Sequence, residues 1–182
     1  MSEKEVKAKE ETEPDLRMFM IAGVIDEETV GGVFGWIIEL IEKDRNKPAS
    51  LYINSMGGSG SDALAIYDFI KNCDIEIDTH ALGSCQSAAL IVLQAGKKRY
   101  AHRYTNFMWH SGRGKISEYT KAVDIAAYSE WVARSNRDGD EVLRRHTKIP
   151  RKIMKQAEMQ DMFFDAKQAL AWGVCDEIIG GK

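Results

Sequence analysis

Several things are scarce in this chain of 182 residues, and each scarcity closes off a class of function. Three cysteines, Cys73, Cys85 and Cys175, make an odd number with no Cys-x-x-Cys pair, so neither a disulfide framework nor a zinc site is readable. That usage suits a reducing compartment, and the expected location is the cytoplasm. Nowhere do 18 consecutive apolar residues occur, so no membrane-spanning helix is expected. Basic residues are not in excess: 25 Lys and Arg stand against 28 Asp and Glu, a formal net charge of −3, and they are scattered rather than massed. Nucleic acid is therefore not an expected partner. The phosphate-cradling pattern Gly-x-x-x-x-Gly-Lys-Ser/Thr is missing, so any use of ATP belongs to a partner. Residues 1–15 carry alternating charges and no apolar stretch, which makes them neither a secretory signal nor an anchor. They are expected to be a disordered charged tail ahead of one domain over residues 16–182.

What remains is ordinary globular composition, 44% hydrophobic and 29% charged, in a chain long enough for a sizeable core. Short apolar strands alternate with segments of helical period. "RMFMIAGVI" reads as a strand running into Asp26, a helix cap, with Glu27 and Glu28 in the positive first turn. Val30, Val33, Phe34, Ile37, Ile38 and Ile41 then recur at spacings of three and four. "SLYIN" is a second strand, "MGGSGSD" a loop, and Ala63, Leu64, Ile66, Tyr67 and Ile70 a second helical face. "IEIDTHAL" alternates as a third strand and feeds the turn "GSCQSAAL", followed by a small-residue helix and strands around "KRYA" and "NFMWH". A long helix is expected from Ser117 to about Arg145, a short one from Pro150, a third over "AKQALAW" ended by Gly173, and a closing strand at "VCDEII". The series implies one α/β domain built from βα units, with no internal repeat.

In consecutive right-handed βαβ units the carboxyl ends of the strands line one edge of the sheet, so "NSMGGSG" and "GSCQSAA" are expected to be neighbours. Glycine pairs permit close backbone approach, and a helix starting near Ser87 would aim free N–H groups at the same spot, where an oxyanion could be held. Ser84, Cys85 and Ser87 all sit in that turn. Ser84 caps or lines it, and Cys85 behaves as a small buried side chain. Of the four histidines, His80 and His102 lie in strand or loop contexts, and His146 ends a helix where a cation suits the dipole. Asp161 and Asp165 lie close together, and a helix cap explains an Asp at either position; the cap is assigned to Asp165.

On these stretches the chain resembles the proteolytic subunit of the Clp protease family. "LYINSMGGSGSDALAIYDFI" is similar to that family's Gly-Gly segment, and "GSCQSAAL", "MWH" and "QDMFFDAKQALAWGVCDEI" follow in its order and approximate spacing. The resemblance runs from about residue 16 to the end and implies an α/β fold of the Clp and crotonase type with a projecting long helix. It implies a serine endopeptidase acting on unfolded polypeptide or short peptides, with Ser87 as nucleophile, His110 as base and Asp161 as third member of the triad. Gly58 and Ala88 fall where the family supplies two oxyanion-binding N–H groups. No metal or cofactor is implied. The implied partners are the polypeptide substrate, six further copies in a seven-membered ring that can pair with a second ring, and an ATP-dependent unfoldase.

The chain departs from the family pattern at Met56, where Pro is common before the glycine pair, and at Ser111 and Gly112, where Gln-Pro is common. Gln160 replaces an Arg used between rings, and "SGRGKISEYTKA" replaces a glycine-rich strand, so face-to-face pairing of rings is expected to be weaker. A phage capsid-maturation protease of the same fold and a crotonase-type acyl-CoA hydratase or isomerase are the alternatives. The second would not need Ser87 and His110 together.

Overall fold

The computed structural model describes residues 17–114 and 121–180; the expected tail and all of "KISEYT", which includes Ser117–Thr120 of the expected long helix, lie outside them. Seven strands and six helices follow one another in the expected βα rhythm among the described residues. β1 (Met18–Ile25), β2 (Ala49–Gly58), β3 (Ile77–Gln86), β4 (Arg99–His102) and β7 (Glu177–Ile179) form a parallel sheet in the order β1-β2-β3-β4-β7. β3 forks: Thr79–Ala81 pair with β4, while Ser84–Gln86 pair in parallel with β5 (Asn106–Trp109). β6 (Met162–Asp165) then runs antiparallel to β5. The fold is mixed α/β, as the alternation of periods implied.

The first two helices start where local chemistry says they should. Asp26 caps α1 (Glu27–Asp44) by accepting from Thr29 N at 3.0 Å, and Val33, Ile37 and Leu40 turn its apolar stripe into the core. Ser59 caps α2 (Gly60–Asn72) through Asp62 N at 3.3 Å, and Ala63, Ile66 and Ile70 are its buried face. α3 (Ala88–Leu93) is buried throughout, which is why its sequence shows no polar face. α4 (Ala122–His146) leaves the sheet with its C-terminal turns anchored by Val142 and Leu143 in the core. α5 (Arg151–Ala157) follows Pro150, and α6 (Ala166–Ala171) ends at Gly173, whose φ of +67° favours glycine.

Three expectations need correcting. The second and third strands do not stop at "SLYIN" and "IEIDTHAL" but run on to Gly58 and Gln86, so the glycine pair and "GSCQ" are strand rather than loop. The ladder survives through bulges, between Ala22 and Val24 of β1 and between Ile53 and Ser55 of β2. At the second bulge Asn54 Oδ1 accepts from Ser84 N at 3.1 Å, doing the work of a ladder carbonyl. β6, a four-residue edge strand with Phe163 exposed, carries no alternation long enough to be read. Lastly, His146 is not a cation at the end of α4: burial first, then Lys71, Arg99 and Arg145, hold its pKa below the usual imidazole value, and its Nε2 meets the Tyr67 hydroxyl at 2.7 Å.

Candidate active site

Pairing registers bring the candidate residues together before any side chain is considered. Gln86 of β3 lies beside Met108 of β5, so Ser87, one residue on, and His110, two residues on, leave adjacent strand ends. Trp109 of β5 lies across from Met162 of β6, and continuing that antiparallel register by one sets His110 opposite Asp161. Three chain-distant residues thus meet at one corner of the sheet.

Ser87 occupies a sharp strand-to-helix turn with φ +52° and ψ −122°, the one non-glycine residue with positive φ among the described residues. Strain of this kind costs on the order of 1–3 kcal/mol and persists only where surroundings impose it. Its backbone N donates to Met108 O at 2.7 Å, tying the turn to β5. A serine at a helix N-cap ordinarily spends its hydroxyl on the helix. Ser87 makes no such cap bond, and its Oγ lies 2.8 Å from His110 Nε2 instead.

His110 is held on both sides. Trp109 Nε1 donates to Asp140 Oδ1 of α4 at 3.1 Å, and Ser111 N donates to Ala157 O at 2.9 Å. Its Nδ1 is 3.3 Å from Asp161 Oδ1, within ion-pair range but not aligned as a hydrogen bond, and has no other acceptor among the described residues. Asp161 Oδ1 also accepts from Arg113 Nη2 at 2.8 Å. Asp165 caps α6 in a capping box with Gln168, as assigned from the sequence, which leaves Asp161 without a capping role.

The glycine pair of β2 abuts the serine turn. A Cβ on Gly57 would lie 2.8 Å from Ser87 Cβ and 3.1 Å from Ala88 N, and one on Gly58 would strike the Ile25 backbone oxygen. Gly58 and Ala88 both border a cavity of about 370 Å³ that opens between the sheet edge and α4. Ser87 and His110 sit at its floor, and Met56, Ile91, Trp109, Tyr128, Trp131 and Val132 give it apolar walls. Cys85, two residues before Ser87, is fully buried, and burial pushes its thiol far above the ordinary range, which removes it as a nucleophile. Ser84 lies in β3 as a partner of Asn106, and His80 and His102 lie on β3 and β4, away from the corner.

A family model described as Clp protease matches residues 9–182. The chain belongs to the Clp protease family. Curated relatives agree: it is 30% identical over 165 residues to the ATP-dependent Clp protease proteolytic subunit 2 of Corynebacterium diphtheriae, covering 90% of this chain and 82% of the relative. The corresponding subunit 2 of Rhodococcus jostii is also 30% identical, with 84% of it covered, and subunit 1 of Corynebacterium jeikeium is 31% identical over 166 residues. This Clp-family chain is accordingly a serine-type peptidase with a mixed α/β fold.

Sequence reasoning missed Arg113, Asn136 and Asp140. Arg113 is one arginine among many on paper and comes to Asp161 only through the path of the segment after His110. Asn136 and Asp140 sit on α4, whose packing against β5 no local pattern announces.

Proposed function

We propose that this peptidase cleaves unfolded polypeptides and short peptides through a triad of Ser87, His110 and Asp161. His110 takes the Ser87 proton as the hydroxyl attacks the scissile carbonyl, and Asp161 steadies the imidazolium that forms. Backbone N–H groups of Gly58 and Ala88 stabilise the oxyanion, a contribution worth about 3 kcal/mol per donor in comparable sites. The observation that carries the reading is the Ser87 hydroxyl, forced into a strained turn and aimed at His110 Nε2 at 2.8 Å instead of capping its own helix.

The apolar walls of the cavity suit a large hydrophobic side chain beside the scissile bond. Seven copies form a closed ring around an internal chamber, and an ATP-dependent unfoldase in the cytoplasm supplies substrate. Apolar residues left on the surface support self-association: Val123 and Trp131 on α4, and Phe163 on β6, are all more than half exposed. No helix among the described residues is long and apolar enough to cross a membrane.

Ser87→Ala tests the triad directly. Hydrolysis of a fluorogenic peptide should fall by several orders of magnitude with an unchanged melting temperature. Near-normal turnover in Ser87→Ala together with loss in Ser84→Ala would refute it.

A further inference from the structure

We propose that Arg113 is a positioning residue of this site, holding the Asp161 carboxylate in place against the His110 ring. The inference rests on the triad reading given above. Among the described residues the Asp161 carboxylate has two neighbours, and both meet it at Oδ1: Arg113 Nη2 at 2.8 Å and His110 Nδ1 at 3.3 Å. Only the arginine contact is aligned as a hydrogen bond. The guanidinium is therefore what fixes the oxygen that the imidazole faces.

Its own base is rigid. Gly112 N donates to Asn136 Oδ1 at 2.7 Å, and Asn136 Nδ2 donates back to Gly112 O at 3.3 Å, so a side chain of α4 clasps the peptide just before Arg113 as a strand neighbour would. The clasp is close, since a Cβ on Gly112 would lie 2.8 Å from Asn136 Oδ1. The Arg113 side chain is itself 73% exposed, so the clasp fixes where it starts, and the planar guanidinium limits the freedom lost in forming its bond.

Four variants of the full chain, Arg113→Met, Arg113→Lys, Asp161→Asn and the double Arg113→Met/Asp161→Asn, decide the matter through kcat and KM on a fluorogenic peptide. Arg113→Met should lower kcat roughly 10-fold, the scale of a small misplacement of a catalytic group, and leave KM within about twofold. Arg113→Lys keeps the charge but not the planar fork and should recover only part of kcat. In the Asp161→Asn background the Met substitution should change kcat less than about twofold, since its effect runs through Asp161. An unchanged kcat in Arg113→Met, a change confined to KM, or full additivity in the double variant overturns the positioning role. Wild-type turnover in Asp161→Asn is a different failure, because it removes the triad itself.

Discussion

Replacing Gly57 by Ala puts the proposed architecture under mechanical load. Gly57 has φ +102°, and the added Cβ would stand 2.8 Å from Gln86 O, 2.8 Å from Ser87 Cβ and 3.1 Å from Ala88 N. These obstacles are backbone or rigid Cβ atoms, so relief means separating the end of β2 from the serine turn by several tenths of an ångström. The positive φ costs on the order of 1–3 kcal/mol. Overpacking adds roughly another 1–3 kcal/mol. A summed loss of about 2–6 kcal/mol is a sizeable share of a domain's stability and lowers Tm by roughly 5–20 °C for a chain of this size. The displaced atoms include the proposed nucleophile and oxyanion donor, and a shift approaching ~1 Å at a reacting group costs on the order of 100-fold in rate. Thermal melts and peptide hydrolysis below the melting range measure the two effects separately. Gly173→Ala is the control: its φ is +67° but nothing lies within 4 Å of the new Cβ, so it should lose some stability and no activity. Wild-type kcat/KM in Gly57→Ala, or an equal activity loss in Gly173→Ala, would refute the reasoning.

Other consequences can be checked in solution. Burial and the neighbouring His102 lower the pKa of His80, and burial lowers that of His146, so below about pH 6.5 the unfolded chain binds protons that the folded chain resists. Stability should therefore fall as pH drops from 7 to 5.5, and His80→Phe, which keeps the stack between Tyr52 and Tyr100, should flatten that fall; identical urea midpoints at both pH values in the parent would contradict it. Arg99, with a side chain only 12% exposed, donates to Gln94 Oε1, the backbone oxygens of His146 and Gly173, and Asp176. Arg99→Met should cost about 2–4 kcal/mol by stranding those acceptors, which urea denaturation would register as a lower midpoint. If the proposed ring forms, sedimentation equilibrium should find single rings beside double ones, since Gln160 stands where the family resemblance implies an inter-ring arginine; a 20.5 kDa species at micromolar concentration and low salt would defeat the ring. EDTA should leave peptidase activity unchanged, and a loss restored by zinc would count against the serine mechanism.

Much of this molecule was legible in its residues because local signals agreed with one another. Asp26 before Glu27 and Glu28 and the apolar spacing of Val30, Val33, Ile37 and Ile41 marked α1, and Asp165 announced α6. Parallel topology made the glycine pair and the serine turn neighbours, and Ser87 and His110 stood out through the resemblance to the Clp family. The rest depends on contacts that sequence spacing does not encode. β2 runs past Asn54 because a side-chain amide replaces a ladder carbonyl, and β6 exists because β5 offers it an edge. His146 looked like a helix-end cation until α2 brought the buried Tyr67 against it and left it half-buried. Arg113 reaches Asp161 only because Asn136 fixes the peptide before it.

The most direct test of the central claim is to label the full chain with a serine-directed fluorophosphonate and map the adduct by mass spectrometry. The account predicts one adduct per chain, on Ser87, abolished in Ser87→Ala and slowed in His110→Ala because the hydroxyl has lost its base. An adduct on Ser84 or elsewhere, or labelling that persists in Ser87→Ala, would contradict it.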